Sequence, residues 1–222
     1  MIPLSDADRR PVRFPLVTVS IIAANSVVFI LELLKGQHFI LALSYIPARI
    51  VAGKDLITIV TAMFVHAGWF HILGNMVYFW AFAPEIEAVM GRWRFASFYL
   101  LGGLVASLVQ IATDPASTLP NLGASGAIAA VMGAFLITFP RDRIRTIVFL
   151  GFFILIPRIP AMVLVGIWFV LQLFSEVGSI AAGQIGGVAH MAHIGGFVFG
   201  LITGYAFETP GGRFGFGTGR RK

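Results

Sequence analysis

The sequence contains no cysteine and little charge. Without cysteine there is no disulfide framework and no zinc site built on thiolates. Charged residues make up 12% of the 222 positions, about half the share of a soluble domain. That is too few to cover a water-facing surface, which excludes an ordinary soluble enzyme and a disordered regulator. Only ten residues are acidic, and no His-Glu-x-x-His pattern of a zinc protease occurs. The net charge of +6 and pI near 10.3 would suit a nucleic-acid binder. The basic residues, however, sit in short segments between apolar runs, so the expected partner is a lipid bilayer and no nucleic acid.

What the sequence has in excess is apolar length: 58% hydrophobic residues and a mean hydropathy of +0.89. A helix needs roughly 20 apolar residues to cross the hydrocarbon core. Six runs approach that length, over 14–34, 70–88, 95–113, 123–139, 160–174 (continuing toward 180) and 184–207. A seventh stretch, 146–156, is too short to span, is closed by Pro157 and Pro160, and reads as interfacial or re-entrant. With six spans, 13 of the 16 Lys and Arg fall on one side. That bias predicts a multi-pass protein of the cell (inner) membrane with both termini cytoplasmic. The expected division is a cytoplasmic tail over 1–13, a transmembrane domain over 14–207 and a disordered basic tail over 208–222. The connection 35–69 is long enough to be a membrane-dipping loop.

This topology starts spans two, four and six on the outer face, and each carries conspicuous polar residues near its start. His71 and Asn75 are four apart, on one helix face. Ser125 sits in Gly-Ala-Ser-Gly, and His193 lies early in the last span. Polar and ionisable groups inside a membrane are costly and mark function by default. Serine and histidine are the minimum set for nucleophilic attack with an imidazole base. His71, Asn75 and backbone N–H groups around Ser125 and Gly123 could hold an oxyanion. No Asp or Glu is placed to orient His193, so a Ser-His dyad is expected rather than a triad.

HILGNMVYFW (71–80), the Glu87, Gly91, Phe95 spacing, GASGAIAAVMGAF (123–135) and AHMAHIGGFVFG (189–200) together resemble the rhomboid intramembrane serine proteases over 58–205. The resemblance implies an all-α membrane protein, a six-transmembrane-helix rhomboid-like bundle with a long membrane-dipping first loop. It implies Ser125 and His193 as the catalytic dyad and His71 with Asn75 at the oxyanion site. It also implies transmembrane protein substrates cleaved near the outer face, and no cofactor. Where some members carry an aromatic residue four positions after the nucleophile, this sequence has Ala129, so His193 must be held another way. His190 and His66 are expected to support the site by hydrogen bonding. The repeated small residues Gly196 and Gly200 read as helix packing, and lateral substrate access is expected beside span five. The alternatives are a catalytically inactive relative that binds membrane proteins, a metal or haem protein using several of the histidines, and a transporter with glycine-broken helices.

Overall fold

The computed structural model describes residues 1–9, 11, 13–181 and 190–211, with the backbone alone over 175–181. Six long helices correspond to the six apolar runs: α1 (Leu16–Lys35), α5 (Trp69–Met90), α6 (Arg92–Thr113), α7 (Ser125–Thr138), α8 (Ala161–Ala181) and α9 (His190–Phe207). By length and composition, α1 and α6 would each cross a membrane alone. The fold is a mostly helical, rhomboid-like membrane bundle. The expected start of the sixth run, 184–189, and the basic tail from residue 212 lie outside the described residues.

Helix α7 is the centre. Its ten residues from Gly126 to Phe135 are all buried, without a polar face, the pattern of a helix surrounded on every side. At 14 residues it is about 21 Å long, against roughly 30 Å of hydrocarbon. A helix that short cannot reach both surfaces, so its first residue, Ser125, can start within the membrane. Helices α7 and α9 touch backbone to backbone. A Cβ placed on Gly196 would lie 2.1 Å from the Gly126 carbonyl oxygen, and one on Gly200 would lie 2.0 Å from that of Ala130.

The Glu87, Gly91, Phe95 spacing also acquires a physical meaning. The Glu87 carboxylate accepts from the N–H groups of Val17 and Thr18 and from the Thr18 hydroxyl, at 2.8–3.0 Å. It therefore caps the unpaired N-terminal donors of α1. Gly91, at φ 77°, makes the one-residue turn from α5 to α6, a conformation that L side chains rarely adopt. Phe95 is fully buried.

The long first loop is folded. It contains α2 (Gln37–Leu43), α3 (Pro47–Val51), α4 (Thr58–Thr61) and a short 3₁₀ turn, Ala62–Phe64. The Thr58–Phe64 segment meets α5 at 89°, so the loop lies across the end of the bundle and then turns into it. Backbone bonds between Tyr45 and Asn121, and from the Ala48 N–H to the Ser117 carbonyl, tie it to the α6–α7 connection. Leu56 and Ile57 stay exposed, as a segment dipping into lipid requires.

One part of the architecture was not expected. The sequence read as all-α, with 146–156 interfacial and 1–13 a tail. Instead β1 (Ile2–Asp6), β2 (Arg143–Leu150), β3 (Phe153–Leu155) and β4 (Arg158–Pro160) form a four-stranded sheet in which β2 pairs antiparallel with the other three. The β2–β3 turn at Gly151 carries an exposed apolar tip, with Phe149, Leu150, Phe152 and Phe153 all uncovered. A strand pairing closes the backbone hydrogen bonds of a segment too short to span. The sheet, the α5–α6 turn and the end of α9 lie at one end of the bundle, and the folded loop and Ser125 lie at the other.

Candidate active site

Ser125 is the first residue of α7, and His193 lies in the first turn of α9. The backbone contact between these two helices, with no side chain between them, sets their register. His193 Nε2 lies 2.7 Å from Ser125 Oγ. His193 is 7% exposed and Ser125 is half-buried, so the imidazole lies where hydrogen bonds are strong. The start of α9 is pinned from a third helix, because the Ala192 N–H donates to Gln110 Oε1 on α6 at 3.1 Å.

His71 and Asn75 approach from α5. The Ala67 N–H donates to His71 Nδ1 at 3.3 Å, which leaves the proton of a neutral imidazole on Nε2. Nε2 faces the turn before Ser125: a Cβ on Gly123, whose φ is 123°, would lie 2.9 Å from it and 3.7 Å from Ser125 Oγ. Only glycine leaves that space open. Asn75 is buried and its Nδ2 has no hydrogen-bond partner among the described residues. A buried amide donor without an acceptor is uncommon and suits a site that receives an acceptor from a ligand. The Ser125 N–H belongs to the first turn of α7, where the helix supplies no partner.

Gly123 departs from expectation as a donor. Its N–H is already committed to the Ala62 carbonyl at 2.8 Å, which fixes the turn. His66 is fully buried against His71, with ring centroids 5.0 Å apart and edge to face. Its backbone N–H donates to the buried carboxylate of Glu32 at 3.1 Å. His66 thus supports His71 from behind by ring contact, where a hydrogen bond was expected. His190 packs edge to face on His193 at 6.4 Å. A cavity of about 20 Å³ lined by Tyr45, Ser107 and Asn121 reaches Ser125 and Gly126, room for about one water.

Two further residues come from α8. His193 Nδ1 lies 2.7 Å from Gln172 Oε1, and the Trp168 ring lies 5.9 Å from the His193 ring, tilted by 44°. These groups hold the imidazole in the absence of an aromatic residue at position 129. Neither Trp168 nor Gln172 stands out in the sequence as part of the site. The available signal was their spacing of four on one apolar helix.

The Rhomboid domain profile matches residues 53–209. Among curated proteins, the presenilin-associated rhomboid-like protein, mitochondrial, of Rattus norvegicus is 29% identical over 82% of this chain and 46% of its own length. The mitochondrial Rhomboid protein 1 of Saccharomyces cerevisiae is 28% identical over 72% of this chain and 46% of its own. A putative rhomboid protease of Bacillus subtilis, YdcA, is 33% identical over 39% of this chain and 43% of its own. The chain thus spans about half the length of the curated relatives it matches. One expectation is corrected: the relatives that align over most of the chain are mitochondrial by name, so placement in a cell (inner) membrane does not stand. Charge bias reports which loops share a side, not which membrane they flank. The profile match covers well over half of the sequence and includes Ser125, His193, His71 and Asn75; the chain belongs to the rhomboid family.

Proposed function

We propose that the chain is an intramembrane serine endopeptidase that cleaves transmembrane segments of other membrane proteins. The observation that carries this reading is the 2.7 Å contact between Ser125 Oγ and His193 Nε2 across two separate helices. Family membership supports intramembrane proteolysis, and the residues suggest how it would run.

Ser125 Oγ attacks the scissile carbonyl carbon while its proton passes to His193 Nε2. The carbonyl oxygen takes up the charge and is held by His71 Nε2–H, Asn75 Nδ2–H and the Ser125 N–H. Collapse breaks the C–N bond, and the imidazolium returns the proton to the departing amine. A water then repeats the sequence on the acyl ester: His193 takes its proton, the Oγ–C bond breaks and Ser125 recovers a proton. The substrate must unwind locally, because helical carbonyls are occupied by internal hydrogen bonds.

The test is cleavage of a single-span substrate by purified protein in detergent, comparing wild type with Ser125→Ala and His193→Ala. Loss of cleavage in both variants, with fold retained by circular dichroism, supports the reading. Cleavage that survives Ser125→Ala overturns it.

A further inference from the structure

We infer that Gln172 is a positioning residue for His193, so that the reactive unit is a Ser125–His193–Gln172 relay assembled from α7, α9 and α8. The inference rests on the reading of Ser125 and His193 as nucleophile and base.

A neutral imidazole carries one proton, on one of two nitrogens. Only the form protonated at Nδ1 leaves an Nε2 lone pair to receive the Ser125 proton. Both ring nitrogens of His193 are engaged at 2.7 Å, Nε2 with Ser125 Oγ and Nδ1 with Gln172 Oε1. The amide oxygen can only accept, so it selects the productive tautomer and fixes the ring's rotation. A carboxylate would do the same, but an ionised acid at this depth is expensive. No acidic side chain contacts His193 among the described residues. The neutral amide is the acceptor that a membrane interior tolerates at low cost.

The grip on the ring is reinforced one turn away. Trp168 faces His193 and packs on Phe197, the residue four after His193, with ring centroids 6.1 Å apart. Phe169 stacks on the same Phe197 at 4.5 Å. Through these contacts α8 sets the direction of the base, although it carries neither the nucleophile nor an oxyanion donor.

The experiment compares Gln172→Met, which keeps length and apolar packing, and Gln172→Glu, which keeps the acceptor. Three readouts are used: the kcat and KM for a transmembrane substrate, the rate of Ser125 labelling by a fluorophosphonate, and ¹⁵N chemical shifts of labelled histidines. Gln172→Met is expected to lower kcat and the labelling rate by roughly 10- to 100-fold with KM within about twofold, a modest fraction of what loss of a tautomer-fixing partner costs in a triad. Gln172→Glu should retain more of both rates than Gln172→Met. The wild-type spectrum should show His193 protonated at Nδ1, and Gln172→Met should mix the two tautomers. Unchanged kcat and labelling in Gln172→Met, or a wild-type proton on Nε2, overturns the inference. Should Gln172→Met fail to fold, the wild-type tautomer decides. Failure of the proposed function reads differently, as cleavage that survives Ser125→Ala.

Discussion

At the scale of single residues, the proposed mechanism divides the site into groups that would hold a proton and groups that would hold a charge. His71 and Asn75 belong to the second kind. Replacing either with alanine is expected to lower kcat by roughly 10²-fold, as for loss of one oxyanion donor elsewhere, with little change in KM; steady-state cleavage assays in detergent measure both. Ser125, His193, His71 and Asn75 could be singled out from the sequence because each is a polar group stranded near the start of an apolar run. Gln172 carries no such mark. It lies in the second half of its run, and amides in membrane helices are ordinarily assigned to helix association. Gly123 was given a donor role that its bond to the Ala62 carbonyl forbids; that bond joins residues 61 positions apart, beyond the reach of any local pattern.

At the scale of elements, the six long helices were legible because apolar length is a strong signal, and Gly196 with Gly200 marked the close contact of α9. The Gly200→Ala variant would push a methyl group into the Ala130 carbonyl. It is expected to destabilise the bundle by about 1–3 kcal/mol and to lower activity by separating Ser125 from His193. Gly74→Ala is the control, since a Cβ there meets nothing within 4 Å; thermal unfolding with a residual-activity assay compares the two. Glu87 was legible only as part of a family spacing. Its role as the cap of α1 depends on a helix 70 positions away in sequence. Glu87→Ala should cost about 1–2 kcal/mol and speed hydrogen exchange in the first turn of α1.

At the scale of the whole molecule, the sheet is the part that sequence reasoning did not reach. Its strands are short, one is N-terminal, and β1 pairs with a segment about 140 positions away; no period within either segment announces that pairing. The sheet brings titratable groups together. Asp6 is nearly buried beside Asp142, and its carboxyl is pushed up to about 7, chiefly by burial and further by the Asp142 charge. Asp142 pairs with Arg9, and Asp6, Arg9, Arg13, Glu85 and Arg145 line a cavity of about 510 Å³. Asp8 moves the other way, held below the usual carboxylate range by its hydrogen bonds to Arg143. A raised acid stabilises the folded state below its ordinary value, and that contribution is lost as pH rises toward and through 7. Asp8 stays ionised across the same range. Docking of β1 should therefore be tighter at pH 5 than at pH 8. Hydrogen exchange of the β1 and β2 amides, corrected for intrinsic rates, measures this, and Asp6→Asn should flatten the difference.

The direct contact of peptide units between α7 and α9 has a mechanical consequence. Where side chains separate two helices, hydrostatic pressure can squeeze the layer between them. Here Gly126 and Ala130 meet Gly196 and Gly200 with no such layer, and close-packed matter of this kind yields little. The spacing of Ser125 and His193 is thus set across a contact that pressure can shorten little. Turnover should hold nearly level with rising pressure until the bundle itself opens, and then fall in a single step.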